Sequence, residues 1–308
     1  MFSFMADTGK TDWWRFALTF VIVITGYLVG QIPLLAALYA RKEALSMSEA
    51  DFERHFNNTN LAAFEMDPNV LLILMMLPFV IGFLLIIMSI KYIHQREIKS
   101  LFTGKEAFDW KKCFFGFSIW TLLSVPAIWI MIPADNLTYQ LEWSKFLPLL
   151  ALALLLVPIQ TTMEETFFRG YLFQSLTRVF NSPMWPFLII GIGFALLHAF
   201  NPEFSEGFTR IIWAYLLLSF FFGILPLLDN GLELPIGLHA ANNLVVVLFI
   251  TAEGGAFSTP AIFSTDLPTL VDVLPILLPT MIIVTFMILM FRYQWSFKGV
   301  FSRRLNKF

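Results

Sequence analysis

Met163-Glu164-Glu165-Thr166-Phe167-Phe168-Arg169-Gly170 sets three ionisable side chains inside an otherwise apolar stretch, 146–177, long enough to cross a bilayer. A charged group near bilayer mid-depth costs about 3 kcal/mol even on a lenient insertion scale, so such residues are retained where they face a protein interior. Two further apolar stretches are interrupted in the same way, one ending on His198 and the next carrying His239 and Asn243. Three such interruptions, in three spans of one stretch of chain, point to a polar site inside a membrane bundle.

The rest of the chain supplies the bundle. Of 308 residues, 58% are hydrophobic and only 14% charged, a polytopic makeup whose length fits one bundle. A net charge of −2 gives no reason to expect nucleic acid. The single cysteine, Cys113, excludes an intramolecular disulfide and any multi-cysteine metal site, and reads as a small packed residue at a helix start. The first apolar stretch, from about Phe16 to Ala40, is too long for a signal-peptide core of about 7–15 residues and is followed by no small-x-small pattern before Arg41 and Lys42. It is expected to be the first span.

At about 20 apolar residues per span, helices are expected near 15–40, 69–94, 112–133, 146–177, 184–200, 210–228, 236–252 and 272–292. The fold expected is therefore all-α, a polytopic transmembrane bundle of about eight helices. It divides into N-terminal helices (1–145), a motif-bearing core (146–252), and a final helix with a basic tail (253–308). The fourth segment is long enough to project from the membrane or to bend at Pro158, and neither 41–67 nor 253–271 looks like a folded domain. With the N-terminus in the cytoplasm, fifteen Lys and Arg fall on that side or its helix ends, among them Arg303, Arg304 and Lys307, against Arg41, Lys42, Arg54, Lys145 and Arg210 opposite. That bias favours both termini in the cytoplasm of a bacterial-type inner membrane. Trp13, Trp14, Trp110, Trp143 and Trp295 fall near expected span ends, as interfacial aromatics do.

Helical spacing then sorts the polar residues. Glu165 and Arg169 are four apart and share a face, in the order that suits the helix dipole, so Arg169 can neutralise Glu165. Glu164 is turned about 100° away and is free to face another helix. The plainer reading, an ion-pair brace of both glutamates on Arg169, has more acid than a brace needs. His198 alone would pass for an interfacial or hydrogen-bonded core histidine. His239 and Asn243 are again four apart and could donate to one point, although Asn242, at three residues' spacing, is hardly separable by geometry.

These residues resemble a known family. Glu164-Glu165 with Arg169 matches EExxxR, Phe194 to His198 matches FxxxH, and His239 to Asn243 matches HxxxN. Those are the motifs of the CPBP intramembrane proteases, also called the ABI or type II CAAX prenyl endopeptidase family, which includes bacteriocin self-immunity proteins. The resemblance covers about 146–252, with the three motifs in the family's order.

The resemblance implies an endopeptidase that cuts a peptide bond at or near the membrane with an activated water. Glu164 would take the proton and later return it to the leaving amine, His198 would orient the water, and His239 with Asn243 would meet the oxyanion. Glu165 and Arg169 would support the site, the same division that the spacing suggests. Some members are described as metalloproteases, and Glu164, His198 and His239 could form a three-ligand zinc site with one open position. No HExxH helix is present, so a cofactor-free glutamate mechanism is favoured over zinc. The expected partner is a membrane-anchored or lipidated protein or peptide, including prenylated CAAX proteins. Two other classes fit buried Glu, His and Arg: an ion-coupled transporter, and a non-catalytic immunity or scaffold protein.

Overall fold

The computed structural model describes residues 2–57, 61–253, 255 and 257–302. Arg303, Arg304 and Lys307 of the basic tail lie outside the described residues. Eleven α-helices are present in this range: α1 Trp13–Gly30, α2 Ile32–Ala44, α3 Glu49–Asn57, α4 Pro68–Met88, α5 Trp110–Met131, α6 Trp143–Glu165, α7 Phe173–Phe180, α8 Met184–Leu197, α9 Phe208–Asp229, α10 Glu233–Leu248 and α11 Leu267–Tyr293. α4 runs on through a wide π turn, Ser89–Ile93, and α6 joins α7 through another, Thr166–Leu172.

Six helical segments are long and apolar enough to cross a membrane: Trp13–Ala44, Pro68–Ile93, Trp110–Met131, Trp143–Phe180, Phe208–Asp229 and Pro268–Tyr293. Two shorter apolar segments, Met184–Phe200 and Glu233–Leu248, occupy the places of the other two expected spans. At 1.5 Å rise per residue, α10 is only about 24 Å long. It does not need lipid-facing length, because twelve of its sixteen residues are buried. α5, α6 and α9 surround it.

Glycine makes that enclosure possible. A Cβ on Gly237 of α10 would stand 2.0 Å from the carbonyl oxygen of Cys113, and one on Gly116 of α5 would stand 3.0 Å from that of Leu234. The two backbones touch, as small residues permit in membrane bundles. Cys113 is buried in this contact. Helix starts are set by local chemistry: Asp67 caps α4, Asp109 caps α5 and Asp266 caps α11, each carboxylate accepting backbone N–H groups of the first turn.

On the face where α1 begins, the α9–α10 turn carries a buried ion cluster. Asp229 pairs with Lys105 at 2.9 Å and with Lys112, while Glu233 lies 3.4 Å from Lys105. The opposite face holds a three-stranded sheet that helical periodicity does not reveal. In it β1 (Thr138–Tyr139) runs antiparallel to β3 (Phe263–Asp266), and β3 runs parallel to β2 (Ile250–Glu253). Strands of two to four residues are too short to leave a period in the sequence. The expected seventh span therefore changes at its end: helix stops at Leu248 and β2 follows.

Candidate active site

α6 passes Pro148 and Pro158 without ending and widens only after Glu165. Hydroxyls help satisfy the backbone along this stretch, Thr161 donating to the carbonyl of Val157 and Thr166 to that of Thr162. The wide turn begins one residue after the paired glutamates and contains Arg169. Glu165 is completely buried and lies 3.2 Å from the Arg169 guanidinium. Arg169 also donates to the carbonyl and hydroxyl oxygens of Ser219 on α9, each at 3.3 Å, and stacks 3.8 Å over the ring of Phe194. A buried charge needs this kind of complete enclosure to be tolerated.

His239 joins both acids. Its Nδ1 lies 2.8 Å from Glu165 Oε1 and its Nε2 lies 3.5 Å from Glu164 Oε2. Phe222, 5.2 Å away, and Phe194, 6.1 Å away, flank the imidazole. A carboxylate only accepts, so the short Nδ1 contact places a proton on that nitrogen. When Nε2 is protonated too, Glu164, Glu165, Arg169 and His239 sum to zero formal charge. Glu164 Oε2 itself is buried and has no hydrogen-bond partner among the described residues.

Glu164 faces a cavity of about 300 Å³ between α1, α4, α6 and α8. Its wall is largely apolar, including Val23, Ile24, Phe79, Met163, Phe167, Phe168, Phe194 and Leu197, and its polar members are Tyr27, Glu164, His198 and Asn201. His198 closes α8, and its Nδ1 lies 2.8 Å from the carbonyl of Phe194. A carbonyl accepts only, so Nδ1 carries the proton and the neutral ring presents a bare Nε2. Glu164 and His198 thus bring an acid and a base to one cavity.

Asn243 is placed differently from the sequence expectation that it and His239 share one target. Its Nδ2 donates to Gln160 at 3.0 Å, and its Oδ1 accepts from Asn242 at 3.1 Å. Gln160 is buried on α6 one turn before Glu164, so the Asn243 amide is tied to the same helix that carries the acids. Neither His239 nor Asn243 lines the cavity.

Among the described residues no group of three or more His, Cys, Asp or Glu side chains is placed to hold a metal ion. Glu164, His198 and His239 therefore do not converge as a zinc ligand set in this arrangement. Four residues at the site escaped the reading of motifs: Tyr27, Gln160, Asn201 and Ser219. Gln160 had a visible signal, a polar residue four before Glu164 in an apolar run. Tyr27 and Ser219 had none, because what brings them to the site is the packing of α1 and α9.

Comparison with known proteins adds the following. The model of a family described as type II CAAX prenyl endopeptidase Rce1-like matches residues 143–245. YyaK, an uncharacterised protein of Bacillus subtilis (strain 168), is 30% identical over 263 residues, which span 83% of this chain and 84% of that protein. No solved structure matches the chain.

Proposed function

The chain belongs to the Rce1-like family of type II CAAX prenyl endopeptidases, and on that premise we propose that it hydrolyses a peptide bond in a membrane-associated protein or peptide by a glutamate-activated water. The observation that carries the reading is the pairing of Glu164 and His198 on one cavity within apolar walls. Ionised Glu164 lines the cavity, and its carboxylate accepts a hydrogen from a water there. The bare Nε2 of His198 accepts the second hydrogen of that water and aims its lone pair at the substrate carbonyl.

Charge moves consistently through this scheme. As oxygen attacks carbon, Glu164 takes the water proton and becomes neutral while the carbonyl oxygen becomes an oxyanion. His239, its Nε2 3.5 Å from Glu164, stands behind the acid and outside the cavity lining, so it meets the oxyanion once the bound peptide reaches past Glu164 to the face of α10. Asn243, whose amide Gln160 fixes, lies outside the cavity lining too, and in the same peptide position its remaining amide hydrogen meets that oxyanion. Glu164 returns its proton to the leaving amine, which completes the cycle. Glu165 and Arg169 keep His239 in register. No step is routed through a metal ion.

The apolar wall suits a lipid-modified or membrane-inserted substrate, and the distribution of Lys and Arg favours both termini in the cytoplasm. The test uses full-length protein in proteoliposomes, with an internally quenched peptide ending in a farnesylated CAAX sequence. A parallel mass-spectrometric comparison of protein termini covers membranes containing wild-type or Glu164→Gln protein. Cleavage that requires Glu164 in either arm is expected. Its absence from both, with folded protein present, would remove the proteolytic reading.

A further inference from the structure

Beside the cavity lies a buried acid that belongs to none of the three motifs. Glu203, in the short turn Pro202–Glu206 between α8 and α9, is only 6% exposed. Its Oε1 accepts from the amide of Asn201 at 3.1 Å and from the hydroxyl of Tyr215. Tyr215 in turn sets its ring 5.2 Å from that of His198. Glu203 does not line the cavity, whereas Asn201 and His198 do.

The chemistry of an amide decides which way Asn201 points. A carboxylate only accepts, so the nitrogen end must face Glu203, and the carbonyl oxygen is the end of this lining side chain free to turn to the cavity. A backbone bond from Asn201 N–H to the His198 carbonyl, 2.9 Å long, fixes the turn that joins the two residues. Besides Tyr27, Glu164 and His198, the largely apolar cavity thereby gains an oriented acceptor next to His198. A peptide presented to an attacking water offers a matching group, the backbone N–H beside the scissile bond.

We propose that Glu203 is a positioning residue that turns the Asn201 carbonyl into the cavity, where it accepts a backbone N–H of the bound peptide, and that holds Tyr215 against His198. This rests on the proteolytic reading and extends it to how the substrate backbone is bound. One such hydrogen bond is worth up to about tenfold in binding.

The experiment uses full-length protein in proteoliposomes and the farnesylated quenched peptide, together with a series in which one backbone N–H at a time is N-methylated. For wild-type protein, methylation at one position raises KM about tenfold with kcat little changed. Asn201→Ala raises KM for the parent peptide and abolishes the sensitivity to methylation at that position. Glu203→Leu behaves as Asn201→Ala does, while Glu203→Gln, which keeps an acceptor, restores KM to within about twofold of wild type. Equal methylation sensitivity in wild type and Asn201→Ala overturns the proposal. A second readout is independent of turnover: the chain has four histidines, so the His198 ring can be assigned by histidine-selective NMR. Glu203→Leu moves its signal and Glu203→Gln does not. If the wild-type protein leaves every peptide uncut, the activity reading has failed for this substrate class. An unmoved His198 signal in Glu203→Leu would then sink the clamp separately.

Discussion

Replacing Arg169 by methionine isolates the cost of the buried charge it balances. Glu165 is completely buried and Arg169 is 1% exposed, so water cannot take the place of the lost partner. Breaking a buried pair from one side typically costs about 3–5 kcal/mol. Arg169→Met also removes two hydrogen bonds to Ser219 and the stack on Phe194. The Nδ1–H of His239, 2.8 Å from the same carboxylate, offsets part of the loss, so a net cost of about 3 kcal/mol is expected, near a hundredfold in the folding equilibrium. Neutralising both partners, as Glu165→Gln with Arg169→Met, should cost about 2 kcal/mol less than the sum of the single changes. Glu164→Gln should cost only about 1 kcal/mol, because its Oε2 has no hydrogen bond to lose and its contact with His239 Nε2 is long, 3.5 Å. Unfolding in mixed micelles titrated with dodecyl sulfate, followed by tryptophan fluorescence, measures the wild type, Arg169→Met, Glu165→Gln, their double variant and Glu164→Gln. Wild-type stability in Arg169→Met, or strict additivity in the double variant, would refute the reasoning.

Asn243→Ala should lower kcat by about 10²–10³ and leave KM within a few fold, since an oxyanion donor acts in the transition state; a loss carried by KM alone would speak against that role. Membrane-permeant chelators should leave cleavage intact, whereas stoichiometric bound zinc with activity lost on stripping and restored by zinc would sink the metal-free scheme and spare the protease. Gly237→Ala drives a Cβ to 2.0 Å from a backbone oxygen of α5 and should cost about 1–3 kcal/mol or more. Gly223→Ala, whose Cβ meets only the Phe187 ring at 3.4 Å, is the tolerated control in the same unfolding assay. For orientation, an impermeant maleimide applied to intact cells should label Glu53→Cys and spare Lys298→Cys, both in a Cys113→Ser background, and the reverse pattern would invert the bundle.

What the chain's sequence determined by itself is whatever depends on local period and burial. The apolar run lengths foretold eight helical segments, and the spacing of four between Glu165 and Arg169 foretold an ion pair that helix geometry makes almost wherever the helix sits. The three motifs were legible for the same reason, as polar groups too costly to leave in lipid. Tertiary structure decided the rest, because it depends on residues far apart in the chain. Packing α10 against α6 brought His239 onto both glutamates, 74 residues away from Glu165, and gave Asn243 its partner Gln160, 83 residues away. Packing α1 against α4 put Tyr27 on the cavity wall, and only the fold of the α8–α9 turn set Glu203 behind Asn201. A helix's period states which side chains share a face; which neighbour that face meets is settled by how the helices fill space against one another.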